Sequence, residues 1–315
     1  MLEITCAMAL ANSFPINVRF TGHKGPVYAL CTAPQPGSFL SASGDGSVVR
    51  WNLNDPENGI TEARVGRAIF AMHRAGKELL YIGDEDGGLH VVDLATRKEM
   101  QLERAHVKGI FAIQELPDGR LVVAAGDGSI SIWTTGGERD HRIALQRKIP
   151  LSDEKVRGLA LNADGNLLAV ACGDGSIRIL ESTDFNELRT LAGHEKGANC
   201  VAWHPEKPVL VSGGKDGHLR LWRTDAGFEQ LHAFPAHKDT IYSIAFSPDG
   251  TRCATASRDK SAKSWDGNSF NRLSKLDRSA GGHGYSVNVV LWLDGDYLLT
   301  GSDDKAIVAW KSPLA

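Results

Sequence analysis

The 315-residue sequence predicts an all-β fold: a single closed ring of seven four-stranded antiparallel units. Three observations predict it. First, one phrase of turn and strand recurs. GDGSVVRW at 44–51 returns as GDGSISIW at 126–133, GDGSIRIL at 173–180, KDGHLRLW at 215–222, RDKSAKSW at 258–265 and DDKAIVAW at 303–310, with a faded copy, EDGGLHVV, at 85–92. Second, the Asp of that phrase stands at 45, 86, 127, 174, 216, 259 and 304, so the period stays between 41 and 47 residues. A unit of that size is a supersecondary element too small to bury its own core. Third, the chain carries a spare strand near its start and lacks one at its end.

The elements follow in order within each unit. An apolar strand such as Val27-Tyr28-Ala29-Leu30 leads to a turn, seen as Pro117-Asp118-Gly119, Ala163-Asp164-Gly165 and Pro248-Asp249-Gly250. A second apolar strand follows, such as Leu167-Leu168-Ala169-Val170, then the Asp-Gly hairpin and the strand that ends in Trp. Asp-Gly between alternating apolar runs is a strong hairpin signal, because Gly takes the positive φ that tight turns demand. After Trp310 only five residues remain, too few for a fourth strand. Ile16, Val18 and Phe20 alternate with Asn17, Arg19 and Thr21, the pattern of a half-buried strand. Residues 16–20 are therefore expected to complete the last unit and close the ring, removing an exposed edge. This divides the chain into a leader over 1–13, with no assigned role, and the ring over 14–315. The leader is apolar but contains Glu3 and no Lys or Arg before Arg19, which argues against a secretory signal.

A second marker precedes the turns. His23, His106, His194, His237 and His283 stand 21 or 22 residues before Asp45, Asp127, Asp216, Asp259 and Asp304, and Trp51, Trp133, Trp222, Trp265 and Trp310 follow those Asp by six. Four residues before the Asp come Ser41, Ser212, Thr255 and Thr300, with Val123 the exception. In the second and fourth units His and Trp are missing together, as a physically coupled set would be. This constellation resembles the WD-repeat β-propeller family over about residues 14–311, although Trp-Asp itself occurs only at Trp265-Asp266. The resemblance implies a single seven-bladed β-propeller in which these His, Ser/Thr, Asp and Trp residues form buried hydrogen-bonded chains inside the blades. Buried Asp and His are tolerable only when paired, so the chemistry agrees.

Composition narrows the function. Net charge is −3 with pI ≈ 6.4, which argues against a nucleic-acid-binding surface. Five scattered Cys without a Cys-x-x-Cys fit a reducing, cytoplasmic compartment and neither a disulfide framework nor a zinc site. No run approaches the roughly 18 apolar residues of a membrane span. The Gly-Asp-Gly-Ser turns lack the Walker lysine spacing, and Asp84-x-Asp86-Gly87 lacks the later ligands of a calcium loop. No metal or cofactor is expected. From Trp133 to Val156 is 23 residues, against 19 from Trp222 to Ile241. That longer connection carries Arg139, His141, Arg142, Arg147, Lys148 and Lys155, and reads as a solvated loop or as a contact for an acidic peptide.

Two function classes follow. Propellers of the resembled family mostly bind peptides and proteins at the mouth of the central channel. The residues opening the innermost strands are by alignment Tyr28, Phe70, Phe111, Arg157, Asn199, Tyr242 and Asn288, and the residues preceding the turn Asp add Lys215 and Arg258, with Glu85 and Asp303 as acidic exceptions. The expectation is a non-catalytic scaffold, monomeric by itself, with an aromatic arc over blades one to three and a cationic sector over blades four to six. The alternative is a hydrolase or lyase at the channel, but the opening residues include no carboxylate, His, Ser or Cys.

Overall fold

The computed structural model describes residues 15–136 and 141–312, so the 1–13 leader and Arg139 lie outside the described residues. Seven four-stranded antiparallel sheets are present. The first strand of each packs against the first strand of the next, from Val27–Thr32 against Ile69–Ala75 round to Val287–Leu293 against Val27–Thr32. No α-helix occurs among the described residues, and the two short 3-10 turns, Thr224–Ala226 and Arg278–Ala280, sit in connections. The expected seven-bladed propeller is the observed fold.

Apolar faces of neighbouring blades supply the core. Leu40 and Val48 of the first blade, for example, meet Ile69, Leu80, Ile82 and Val92 of the second. Ring closure follows the same logic. Strand Ile16–Phe20 pairs antiparallel with Ile307–Lys311 as the outer strand of the seventh blade. Phe20 is 1% exposed and meets Phe39 and Trp51 edge-on, with centroids 5.0 and 5.6 Å away. Arg19 adds bonds to the carbonyls of Gly281 (3.2 Å) and Gly282 (3.0 Å).

Polar chains form in all five blades that carry His and Trp. In the first, the Trp51 indole donates to Ser41 (2.8 Å), whose Oγ lies 2.7 Å from His23 Nε2, while Nδ1 lies 3.1 Å from Asp45. His194, Ser212, Asp216 and Trp222 repeat this in the fifth blade, His237, Thr255, Asp259 and Trp265 in the sixth, and His283, Thr300, Asp304 and Trp310 in the seventh. The third blade solves the Val123 exception differently. Ser131, directly opposite Val123 on the next strand, takes the Trp133 indole (2.8 Å) and meets His106 Nε2 (2.8 Å), with Asp127 at 3.1 Å from Nδ1. Opposed residues of an antiparallel pair share a face, so the hydroxyl can come from either strand.

The two incomplete units differ from each other. In the second blade the buried carboxylate is Asp84, which accepts from the Asp86 and Gly88 backbones and from His90, whose other nitrogen meets Glu99. Asp86 itself is exposed and pairs with Arg67 at 2.9 Å. In the fourth blade Leu180 packs where Trp stands elsewhere, and Asp174 is held by Ser176, Ser152 and Arg178. The long connection is only partly a loop: Ile143–Pro150 is the outer strand of the third blade, and residues 151–155 lead from it to the next. A strand needs those residues to complete the sheet, and its cations disperse. Lys148 reaches Asp127 (2.9 Å), Arg147 the Asp184 carbonyl (3.1 Å), and Lys155 the channel mouth.

Burial pushes His23, His106, His194 and His237 below the ordinary imidazole value, against the pull of their Asp partners. Burial works to raise Asp45, but bonds from Ser47 and from the Lys24 and Ser47 backbones outweigh it and bring the carboxyl down to about 2. Asp127, Asp216 and Asp259 are depressed likewise. His90 moves the other way, since its bonds to Asp84 and Glu99 overcome burial.

Three outcomes are expected. Removing residues 1–21 strips the closing strand and Phe20, whose burial alone is worth roughly 1.5–3 kcal/mol, and leaves an open edge; recovery of a soluble monomer with unchanged melting temperature would refute the closure. Asp216→Ala and Asp84→Ala each leave buried groups unsatisfied at about 1–3 kcal/mol, whereas Asp86→Ala stays within about 0.5 kcal/mol; equal losses in denaturant melts would contradict this. Acidification should lower stability in two stages. Below about pH 6.5 the unfolded chain takes up protons that the four depressed histidines refuse, with His90 opposing; below about pH 4 the depressed carboxylates lose their contribution as pH falls toward their folded values. Melting temperatures measured from pH 8 to pH 3 test the order, and a flat profile above pH 5 would overturn the first stage.

Candidate functional site

In every blade the ladder between the first two strands skips one residue. Val27 faces Ser43 and Ala29 faces Ala42, which leaves Tyr28 unpaired. The same break isolates Phe70, Phe111, Arg157, Asn199, Tyr242 and Asn288. A β-bulge re-aims its extra side chain out of the alternating pattern. Here all seven bulged residues line one cavity of about 400 Å³, completed by Lys155 and Asp303. Since every blade contributes, the cavity lies on the ring axis, at the face that carries the His loops and Asp turns.

One wall is aromatic. Tyr28 meets Phe70 edge-on (5.2 Å), Phe70 stacks on Phe111 (5.5 Å), and the Arg157 guanidinium lies 4.4 Å from the Phe111 centroid, with Lys155 Nζ at 5.7 Å. Two amides tie neighbouring blades together: Asn199 donates to the Ile241 carbonyl (3.1 Å), and Asn288 to the Val27 carbonyl (3.1 Å) and Asp303 (2.8 Å). Arg157 Nε and Asn199 Oδ1 are buried without a hydrogen-bond partner.

Charge is distributed unevenly around this rim. Burial depresses Lys155, and the positive charges of Arg157, Lys215 and Lys108 depress it further, with Glu154 opposing. Burial likewise depresses Arg157. Three blades away stands Asp303, whose charge adds to burial in raising Tyr28. Burial also raises Tyr242, with Arg258 and Arg157 opposing and Asp303 adding to it. The mouth is therefore cationic on one side and acidic on the other.

The structure brings all seven predicted opening residues together. Lys215 and Arg258 flank the cavity without lining it. Arg258 lies 3.8 Å from Asp239 and close enough to Tyr242 for its charge to oppose that phenol's upward shift. Lys108 and Lys155 join Arg157, Lys215 and Arg258, so the cations run over blades three to six. Lys108 escaped the sequence reading because it stands before its strand, in a loop, and Lys155 was read only as part of the long connection and not as a mouth residue; the one signal was that Lys155 is the only charged residue two places ahead of a bulge. Glu85 accepts from the Ala68 backbone (3.2 Å), and Asp303 brings a carboxylate that the opening residues alone did not show. No group of three or more His, Cys, Asp or Glu suited to a metal ion occurs among the described residues.

The sequence is similar to those of known proteins. The family model for the WD domain, G-beta repeat, matches residues 15–52, 98–134, 145–180, 185–223 and 228–266. WD repeat-containing protein 1 of Xenopus tropicalis is 26% identical over 257 residues, covering 77% of this chain and 40% of that protein. Serine-threonine kinase receptor-associated protein of Mus musculus is 24% identical over 250 residues (78% and 68%), and mouse Telomerase protein component 1 is 26% identical over 235 residues (74% and 8%). The chain thus spans less than half of the frog protein and a small part of the telomerase component. Each matched segment starts at the outer strand of one blade and ends in the third strand of the next, the same one-strand offset that closes the ring. With more than half of its length matched and seven blades in place, the chain belongs to the WD-repeat family of β-propellers.

Proposed function

We propose that the protein is a non-catalytic scaffold that captures a protein partner through an extended peptide laid across the channel mouth, in a cytoplasmic setting. The observation that carries this reading is the convergence of seven bulged side chains, one per blade, on a single cavity walled by Tyr28, Phe70 and Phe111 and edged by Arg157. Aromatic residues and Arg dominate interface hot spots because they combine large area with a polar end. A lining of aromatics, amides and cations suits binding better than acid–base chemistry, and Asp303, its one carboxylate, is tied to Asn288.

Further support comes from the surroundings. Val107 (80% exposed) and Tyr285 (62%) lie in loops of this same face. Exposed apolar residues of the outer strands, such as Ile60, Leu145, Leu188 and Leu231, fall on separate blades, consistent with a monomer. Cys31, Cys172, Cys200 and Cys253 are free thiols, as suits a reducing compartment. Among relatives, one is named for association with a receptor and another as a component of telomerase, which is compatible with a life in complexes.

The test is affinity capture from a native lysate with Tyr28→Ala, Phe111→Ala and Arg157→Ala separately, each first shown to melt as the parent does. Loss of a hot spot costs about 2 kcal/mol, a roughly thirtyfold weakening. Retention of every partner by all three variants would remove this face from consideration.

A further inference from the structure

A basic side chain stands beside the hairpin turn of almost every blade. It comes from one of two facing positions: the residue four after the turn Asp, or its partner on the outer strand. In the third blade Lys148, opposite Ser131, donates to Asp127 (2.9 Å) and to the carbonyl of Ala105 (2.7 Å), the residue before His106. Arg178 lies 3.6 Å from Asp174 in the fourth blade, and Arg220 lies 2.8 Å from Asp216 in the fifth. Lys263 donates to the Ala236 carbonyl beside His237, and Arg19 to the Gly282 carbonyl beside His283. In the second blade the same position holds His90, which bonds Asp84. Only the first blade breaks the pattern, because its two facing residues are Val49 and Thr61.

A cavity of about 230 Å³ occupies that place instead. It includes no residue of an innermost strand, so it lies on the flank of the ring and apart from the channel mouth. Asp45 and Trp51 form one wall, and Glu57, Gly59 and Thr61 of the outer strand Asp55–Arg64 form another. A methyl group on Gly193 would meet the Arg220 side chain at 2.8 Å and Trp222 at 3.3 Å; one on the equivalent Gly22 would meet only Trp51, at 3.2 Å. The space that a basic side chain fills in the fifth blade is therefore open in the first.

The acceptors are in place. Asp45 Oδ2 receives the Lys24 backbone (2.7 Å), as Asp127 Oδ2 receives the Val107 backbone while also taking Lys148. The Gly22 carbonyl, which matches that of Ala105, receives no hydrogen bond among the described residues. Lys24 and Arg64 edge the cavity, but both are exposed and neither forms an ion pair among the described residues. The serine beside the imidazole then selects the cation. In the third and sixth blades Ser129 and Ser261 stand 3.3 and 3.5 Å from the His Nδ1, and the cation is Lys. In the fifth and seventh that serine is replaced by His218 or Ala306, and the cation is Arg. The hydroxyl takes the room a planar guanidinium uses in the fifth blade, where Arg220 lies 2.8 Å from His194 Nδ1. The first blade has the serine: Ser47 Oγ is 3.3 Å from His23 Nδ1. We infer that this seat takes a lysine side chain from a partner chain, its ammonium on Asp45 and the Gly22 carbonyl and its stem along Trp51. Such charge-assisted bonds are strong, and an aliphatic stem packs well on an apolar edge. A passing outer strand delivers the lysine in the third blade, and here a partner's backbone does so. The inference stands apart from the reading of the mouth.

The experiment titrates the full chain with the blocked pentapeptide Gly-Gly-Lys-Gly-Gly, with its norleucine and arginine counterparts, and with putrescine, all at constant ionic strength. Binding is followed in the assigned 15N spectrum at the Trp51 indole and at the Gly22 and Lys24 amides. The lysine peptide is expected to shift these signals saturably, binding at least tenfold more tightly than the norleucine peptide and several-fold more tightly than the arginine peptide. Thr61→Lys places in the first blade the residue that the third carries at the matching position, so folding is retained. It should fill the seat from within, abolish the shifts and raise the melting temperature. Equal binding of the lysine and norleucine or arginine peptides, shifts that survive Thr61→Lys, or a Thr61→Lys protein that melts below the parent overturns the inference. Tighter binding of putrescine than of the lysine peptide assigns the seat to a free diamine and overturns the docking. A parent that ignores every probe overturns it too, and if Lys24→Ala with Arg64→Ala restores binding, the chain fills its own seat.

Discussion

The contact between a turn carboxylate and a loop imidazole is what the rest of the binding face stands on. In five blades a His from the incoming loop meets the Asp of the hairpin turn, and its other ring nitrogen meets a hydroxyl that also receives the Trp indole. One set of side chains thereby ties a loop, a turn and two strands at a single buried point. In all five blades the bulged residue follows the His by five positions, from His23 and Tyr28 to His283 and Asn288. A fixed imidazole therefore fixes where the inner strand begins and which side chain the bulge delivers to the axis. Positioning of this kind is what a binding site requires of its supporting residues.

The exceptions show how far this support extends. The second blade substitutes a buried Asp84 and His90, with the exposed Glu99 on the other ring nitrogen, and Phe70 keeps its place between Tyr28 and Phe111. The fourth blade has no such anchor. Its Asp174 side chain is 36% exposed, where Asp45, Asp127, Asp216, Asp259 and Asp304 are 16% or less. The most strongly charged corner of the mouth is thus carried by the blade without a buried polar chain, against Phe111 at the end of the aromatic wall.

Much of this was legible in the sequence, for reasons that differ from part to part. The blade count and the closing strand followed from repetition, since a period near 43 with one strand missing at the end and one spare at the start has few solutions. The seven mouth residues were found because each occupies the same place in its repeat, even though the bulge that makes them converge leaves no mark in the sequence. What escaped was whatever a neighbouring strand or loop supplied. Ser131 replaces a hydroxyl missing at Val123 from across the ladder, Asp84 takes the burial that the repeat assigns to Asp86, and Lys108 and Lys155 reach the mouth from outside the strands.

The closing strand also sets a clock. Phe20 pairs with Ile307, so this segment must wait for one made 287 residues later before it can be buried. At the usual pace of synthesis that delay is on the order of tens of seconds, far longer than a hairpin needs to form. Six blades can assemble in sequence while strand Ile16–Phe20 stays unpaired, and the first blade meanwhile holds Phe39 and Trp51 without the ring of Phe20 between them. The finished ring is insensitive to that history, but the nascent chain is not, because until the ring closes the segment presents Phe20 and an unpaired strand edge to solvent.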